Sequence, residues 1–526
     1  MRTPAFEPRP SPTRPVRSAA ITNLGCKVNQ SEMEAAARFL RERGVAIVDD
    51  HRPADLYVVN TCTVTAIADQ KSRHAVRRAR RTNPEARIVV TGCSVQVDPA
   101  PFVAADGDAR LVDNDAKDRL LAELAALAGM PDAGGVLDRP LPSLSGVVRV
   151  DGAGTAPAVP IDGVAEPIDG AADDRSIAER TRAFIKVQDG CSFFCTYCII
   201  PRARGAERSL PPEVVLADVR RALARGHREV VLTGINVGTY DGGRSEPGRR
   251  GSHVRSALTL AGLVRRILAE TGVERIRLSS IEPQHVDDEL LAAWAAGVPR
   301  TLPHLHLPLQ SGDDGVLRRM GRRYDAGAYR EVVRRARAAL PDVAIHADVI
   351  VGFPSEDEPA WLRTLRFIAD LDPAGLHVFR YSPRFGTPAT RMAGQVDEPT
   401  RKRRATELLA IAAEARARFA RRQLGDDLDV LFETRLADGR WIGHAPNNVL
   451  VVASSPDRRP LENVIARVRV SGVDPGAPQH ALGRVVALEP SRGRARPDDA
   501  AGQDARRPLP VVALPASRQL GGIDAG

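Results

Sequence analysis

Between Ala19 and Leu127 short apolar runs alternate with amphipathic stretches. Runs of four to six residues rich in Val and Ile and bounded by turn residues fit buried strands, so strands are expected at Ala20–Leu24, Val45–Val48, Leu56–Asn60 and Arg87–Thr91. Helical periodicity separates most of them, which predicts a parallel α/β sheet. In "NQSEMEAAARFLRERG", Ser31 and Glu34 have the spacing of a capping box, and Gly44 marks a helix stop.

From Phe184 to Pro383 the same alternation recurs, with strands expected at Phe184–Val187, Glu229–Leu232, Arg275–Leu278, Leu305–Pro308, Ala344–Val351 and Leu376–Tyr381. About six β/α units predict an open, incomplete barrel, whose chemistry would sit at the carboxyl ends of its strands. From about Leu424 to Pro490 apolar and polar residues alternate singly, which predicts a small antiparallel β-barrel. The fold class expected is therefore α/β with three parts: a parallel sheet domain at 19–128, a barrel at 181–420 and a β domain at 422–490. A Gly-, Pro- and Ala-rich stretch at 129–180 reads as a linker, "DGGRSEPGRRGSHVRSA" as a flexible insertion and 491–526 as a disordered tail.

Composition adds a partner class. The net charge is +9 and the excess is mostly arginine, which favours a polyanion over an acidic small substrate. The helix following Cys62 concentrates Lys71, Arg73, Arg77, Arg78, Arg80 and Arg81, a set suited either to phosphate contacts or to a solvated face. The N-terminus lacks the apolar core of a signal peptide and there is no apolar run of membrane-spanning length, so a cytoplasmic location is expected, with no membrane partner. In that reducing compartment the six cysteines are unsuited to disulfides, leaving metal binding or burial.

Three of them, Cys191, Cys195 and Cys198, share one short loop, "VQDGCSFFCTYCIIPRARG". A closed zinc site or a ferredoxin-type cluster takes four ligands. Three thiolates on a four-iron cluster leave one iron open to a small molecule. The other three, Cys26, Cys62 and Cys93, each lie just past the carboxyl end of an expected strand, in the polar settings "NLGCKVN", "NTCTVT" and "TGCSVQ". Parallel strands share that edge, so these cysteines can converge into a second metal site; the bland alternative is three separate buried thiols.

The C-x3-C-x2-C loop, with an aromatic before its last cysteine, resembles the signature of radical S-adenosylmethionine enzymes. Together with "NLGCKVNQSE", "NTCTVTAIADQKSR" and "TGCSVQ" it is similar to the methylthiotransferases, over nearly everything from Ile21 to about Val485. The resemblance implies two [4Fe-4S] clusters and S-adenosylmethionine as cofactors. Cys191, Cys195 and Cys198 would hold the cluster whose open iron chelates S-adenosylmethionine, with Tyr197 beside the adenine, Thr233 and Gly234 at the methionine part, and Ser280 and Glu282 on the ribose side. Cys26, Cys62 and Cys93 would hold a second cluster concerned with sulfur. Removing an aromatic hydrogen that is not acidic calls for a radical rather than a side-chain base. His304, His306 and His346 are accordingly expected to be structural or cofactor-shell residues.

"LGCKVNQSE" and "LTGINVGTY" look most like the branch that modifies N6-threonylcarbamoyladenosine beside the tRNA anticodon, although Asn236 stands where that branch commonly has His. The alternative is the isopentenyladenosine branch. The expected partners are tRNA through its anticodon stem-loop, an electron donor such as flavodoxin or ferredoxin, and a sulfur source. The C-terminal part corresponds to a TRAM domain, an RNA-binding barrel, with Val449 where the family often has Tyr. A reading from another class is a non-enzymatic zinc and RNA-binding protein using the same cysteines.

Overall fold

The computed structural model describes residues 15–115, 117–128, 181–243, 258–455 and 459–488. The expected linker, most of the expected insertion and the expected tail lie outside the described residues.

Five parallel strands, β1 (Ser18–Asn23), β2 (Ala46–Val48), β3 (Leu56–Thr61), β4 (Arg87–Gly92) and β5 (Arg110–Val112), form the first sheet in the order β2-β1-β3-β4-β5. Apolar clusters cover both faces, one around Met33, Leu40, Val58 and Leu124, the other around Tyr57, Val76, Val90 and Phe102. A sheet buried on both sides needs near-continuous apolar strands, and β3 is buried along its whole length. Each fully buried aliphatic side chain contributes about 1.5–3 kcal/mol, so the sheet is a rigid base for the turns that follow its strands.

The helix α1 (Lys27–Arg41) corrects one expectation. It begins at Lys27 with Cys26 as its N-cap, so Ser31 and Glu34 lie inside it and form no capping box. The buried amide of Asn29 fixes the helix start instead, donating to Asn60 Oδ1 at 2.8 Å and to the Thr61 carbonyl at 3.1 Å. The arginine-rich helix is α2 (Ala66–Thr82). Arg78 pairs with Asp50 and Arg80 with Asp106, so these two hold the domain together, while Lys71, Arg77 and Arg81 are exposed.

The six expected barrel strands are present: β6 (Arg182–Lys186), β7 (Glu229–Thr233), β8 (Arg275–Leu278), β9 (His304–His306), β10 (Ala344–Val351) and β11 (Gly375–Arg380). They form two parallel three-stranded sheets, β8-β7-β6 and β9-β10-β11. Single bridges, Ile276 to Thr301 and Ser280 to His306, join the two sheets. With β6 and β11 as the outer strands, the barrel stays open.

The last domain is a closed barrel of β12 (Asp427–Arg435), β13 (Trp441–His444), β14 (Leu450–Ser454), β15 (Ile465–Asp474) and β16 (Ala477–Leu488). Its pairing is antiparallel except for β14 with β16, a parallel pair that the expectation of an antiparallel barrel did not include. Val449 is buried in its core, among Phe432, Trp441 and Val451. The domain meets the starts of the central strands. Arg275 donates to the Asp429 carbonyl, Arg277 to those of Ala445 and Pro446, and Arg182 pairs with Glu433 at 3.0 Å. Within it Arg467 pairs with Asp429 and Arg469 with Asp427, all on the surface, where such pairs contribute little.

Candidate functional site

The loop of Cys191, Cys195 and Cys198 is held at fixed points along its length. Gly190, at φ +69°, turns the chain into it, and a Cβ there would lie 2.0 Å from the Ala206 carbonyl oxygen, so only glycine fits. Cys191 N–H donates to the Gly205 carbonyl at 3.1 Å and Cys198 N–H to that of Cys195 at 2.9 Å. Thr196 donates to Met320 and accepts from Ala389, both at 2.9 Å. The three thiols are half-buried and unpaired by disulfides. Burial pushes the Cys191 thiol up to about 11 and the Cys198 thiol up to about 12.

Beside the loop, Arg322 donates to Cys195 Sγ at 3.3 Å and to the Tyr197 hydroxyl at 3.4 Å, and it pairs with Glu282. Tyr197 packs edge-on against Phe353, ring centroids 6.2 Å apart. Thr233 ends β7, Gly234 packs against Gln188 too closely for a Cβ, and Ser280 follows β8 and bridges to His306. Thr233 Oγ1, both amide atoms of Asn236, Ser279 Oγ and Gln310 Oε1 are buried without a hydrogen-bond partner. Each such group costs about 1–3 kcal/mol when left unpaired. Gathered at the carboxyl ends of barrel strands, they fit a polar ligand seated next to the cysteines, as S-adenosylmethionine would be.

The second trio also comes together. Cys26 caps α1, Cys62 follows β3, and Cys93 opens the short helix α3 (Cys93–Val97) directly after β4. Gly92, at φ +103°, makes that last turn, and a Cβ there would meet Asn60 Oδ1 at 2.4 Å. Burial first, then the neighbouring thiols of Cys93 and Cys26, push the Cys62 thiol up to about 12, which reflects their proximity. A tetrahedral zinc with bonds of about 2.3 Å needs sulfurs about 3.8 Å apart. Among the described residues the metal-binding groups whose ligand atoms all fall within 4.8 Å are His306/Asp348/His377 and Asp49/Asp50/His51, and neither cysteine trio is among them. Neither trio therefore has its three sulfurs drawn within that distance of one another.

One buried guanidinium links the two trios. Arg204, in α4 (Ile200–Arg204) just after the cysteine loop, donates to Asn29 Oδ1 at 2.5 Å, Asp189 Oδ1 at 2.9 Å and Glu32 Oε1 at 3.2 Å. Asn29 in turn accepts from Cys26 Sγ at 3.4 Å. Asn114 donates to the Ala203 carbonyl at 2.6 Å and lies 3.6 Å from Cys93 Sγ. Desolvation opposes ionisation of Glu32 and Asp189, yet Arg204, with Lys117 and Lys186 at Glu32 and with Lys186 and Arg208 at Asp189, holds both carboxyls well below the usual carboxylate range. Removing one partner of a buried ion pair costs about 3–5 kcal/mol, so Arg204→Gln is expected to lower the thermal midpoint by many degrees. The pH dependence has a definite sign. Both folded-state pKa values are depressed, so this stability is present above the unfolded values near 4 and is lost as pH falls below them. Thermal melts of wild type and variant from pH 7 to pH 3 check this, the variant losing less over the acid limb.

His304 and His306 stand on β9 and His346 on β10, His304 and His346 buried and His306 half-buried. His304 Nε2 and His346 Nδ1 are 3.1 Å apart, and Asp348 Oδ1 holds His306 at 2.6 Å and His377 at 3.0 Å. Desolvation pushes Lys27, next to Cys26, down to about 8, with Asp348 acting in the opposite sense. Asn29, Arg204, Arg322, Asp348 and His377 were not singled out from sequence. Asp348 and His377 share the inward register of the named histidines; Arg204 and Arg322 carried no local signal apart from their neighbouring glycines.

Residues 185–368 match the radical SAM superfamily, and residues 18–112 match the family described as uncharacterized protein family UPF0004. The chain is 36% identical over 439 residues to threonylcarbamoyladenosine tRNA methylthiotransferase MtaB of Bacillus subtilis, covering 83% of this chain and 90% of that one. It is 33% identical to the tRNA-2-methylthio-N(6)-dimethylallyladenosine synthase of Sphingopyxis alaskensis, over 81% and 89% of the two chains. Among solved structures, the radical S-adenosylmethionine methyltransferase TsrM of Kitasatospora setae aligns with a TM-score of 0.46 at 17% identity, over 71% of this chain and 75% of that one. The protein is a radical S-adenosylmethionine enzyme. The chain belongs to the tRNA methylthiotransferase family, whose cofactors are S-adenosylmethionine and iron-sulfur clusters. No helix among the described residues is long and apolar enough to cross a membrane.

Proposed function

We propose that the protein transfers a methylthio group to C2 of N6-threonylcarbamoyladenosine at position 37 of tRNA. Cys191, Cys195 and Cys198 hold one [4Fe-4S] cluster, and Cys26, Cys62 and Cys93 hold a second that takes part in sulfur insertion. The observation that supports this most is the pairing of two cysteine trios through one buried residue, Arg204, because C–S bond formation needs the radical and sulfur sites close together. The first cluster would supply the electron that cleaves bound S-adenosylmethionine, whose radical can take a hydrogen no side-chain base could remove. The chain's own residues bind and orient. Tyr197 and Glu282 stand beside the cysteine loop, and Thr233, Gly234 and Ser280 line the ends of β7 and β8.

The threonylcarbamoyl substrate is favoured by the similarity to the threonylcarbamoyladenosine tRNA methylthiotransferase of Bacillus subtilis. RNA recognition is assigned to the anticodon stem-loop, with the C-terminal barrel in the place of a TRAM domain. An electron donor of the flavodoxin or ferredoxin kind and a sulfur source complete the partners, in the cytoplasm. Mass spectrometry of tRNA nucleosides from a deletion strain tests the substrate. The expected result is loss of 2-methylthio-N6-threonylcarbamoyladenosine alone; loss of the isopentenyl derivative instead overturns the assignment. Anaerobic reconstitution tests the chemistry, with about eight irons per chain expected and stoichiometric zinc the contrary result.

A further inference from the structure

Three loops meet at the mouth of the candidate site: residues 62–66, 191–206 and 382–391. Arg384 bonds to Thr63 at 2.6 Å and pairs with Asp69, Ala66 N–H donates to Ser382 Oγ at 3.1 Å, and Arg202 donates to the Phe385 carbonyl at 3.1 Å. The three loops contain no Asp or Glu, but they contain Arg202, Arg204, Arg384 and Arg391. Arg202 and Arg391 are exposed and form no ion pair among the described residues. From these loops Val64, Phe194 and Phe385 project into solvent, 48%, 60% and 71% exposed. Phe194 does so at φ +52°, a left-handed conformation that residues with side chains rarely adopt. Its neighbour Phe193 carries the exposed Arg323 guanidinium 3.9 Å above its ring.

Exposed aromatic rings set beside the exposed Arg202 and Arg391, on loops that carry no acid of their own, suit unstacked bases on a phosphate backbone. We propose that Phe194 and Phe385 stack on unpaired bases of the RNA substrate and form a clamp on either side of the entry to the cysteine loops. This rests on the tRNA reading above. Arg202 and Arg391 take the phosphates, and the clamp holds the RNA loop open over the strand ends, away from the C-terminal domain at the other end of the barrel strands.

The test uses full-length reconstituted protein and a fluorescently labelled anticodon stem-loop RNA, followed by anisotropy across a salt series, with iron content and thermal midpoint as checks of the fold. Phe194→Ala and Phe385→Ala are each expected to weaken binding on the order of ten-fold or more, since base stacking has that magnitude. The slope of log Kd against log salt should stay the same, because no phosphate contact is lost. Tyrosine at either position should restore binding and leucine should not. Unimpaired binding by the alanine variants, or leucine working as well as tyrosine, overturns the clamp. Normal RNA binding by the alanine variants with slowed reduction by flavodoxin gives the patch to a protein partner and also overturns it. Failure of the wild-type protein to thiolate tRNA at all is a different outcome, and it overturns the tRNA reading itself.

Discussion

Cys191→Ala is expected to abolish cleavage of S-adenosylmethionine, with 5′-deoxyadenosine falling to background and no methylthio product. Three thiols supply the whole side-chain ligand set of the proposed first cluster, and the fourth iron must stay open for the substrate molecule. Alanine removes one donor, and among the described residues no cysteine outside the two trios exists to replace it. The backbone should tolerate the change, because Cys191 is fixed through its N–H to Gly205 and through the Gly190 turn rather than through its sulfur. Iron is therefore expected to fall from about eight to about four per chain while the thermal midpoint of the protein part moves little. Cleavage at the wild-type rate, or full iron retention, would remove the three-cysteine assignment.

The cysteines were legible in sequence because parallel strands announce themselves as apolar runs, and in a parallel sheet a residue just past such a run has its place set by topology. The same logic placed the cysteine loop and the segments after β7 and β8. Local spacing misled at Ser31 and Glu34, where the helix cap lies five residues earlier, at Cys26, beside a buried side-chain bond from Asn29. The strand Arg110–Val112, of which only Val112 is buried, was not among the expected strands because it carries no apolar run of its own. The parallel pairing of β14 with β16 depends on how the barrel closes, which single-strand patterns do not carry. Arg204 was beyond reach for a related reason. Its partners Asn29 and Glu32 lie more than 170 residues away, and only the docking of the sheet domain against the barrel makes a buried arginine there necessary.

Cys62→Ala is expected to separate the two activities, leaving S-adenosylmethionine cleavage in place while methylthio product falls to background. Cys62 is buried, and its turn is held by groups other than its sulfur. Its N–H lies 3.3 Å from Ser72 Oγ, and its carbonyl accepts from Ser94 Oγ at 2.8 Å. Alanine should therefore keep the turn and lose only a ligand. The contacts that join this domain to the cysteine loop run through Asn29, Glu32 and Asn114 to Arg204 and Ala203, and none of them involves Cys62. The radical site should accordingly keep its geometry, and 5′-deoxyadenosine should still form, now without coupling to product. Iron content near four per chain with cleavage retained would match the proposed division of labour. Normal thiolation by this variant would take the sulfur role away from the second trio. Loss of cleavage along with thiolation would instead mean that the metal-filled second site is needed to hold Arg204 and, through it, the loop of Cys191.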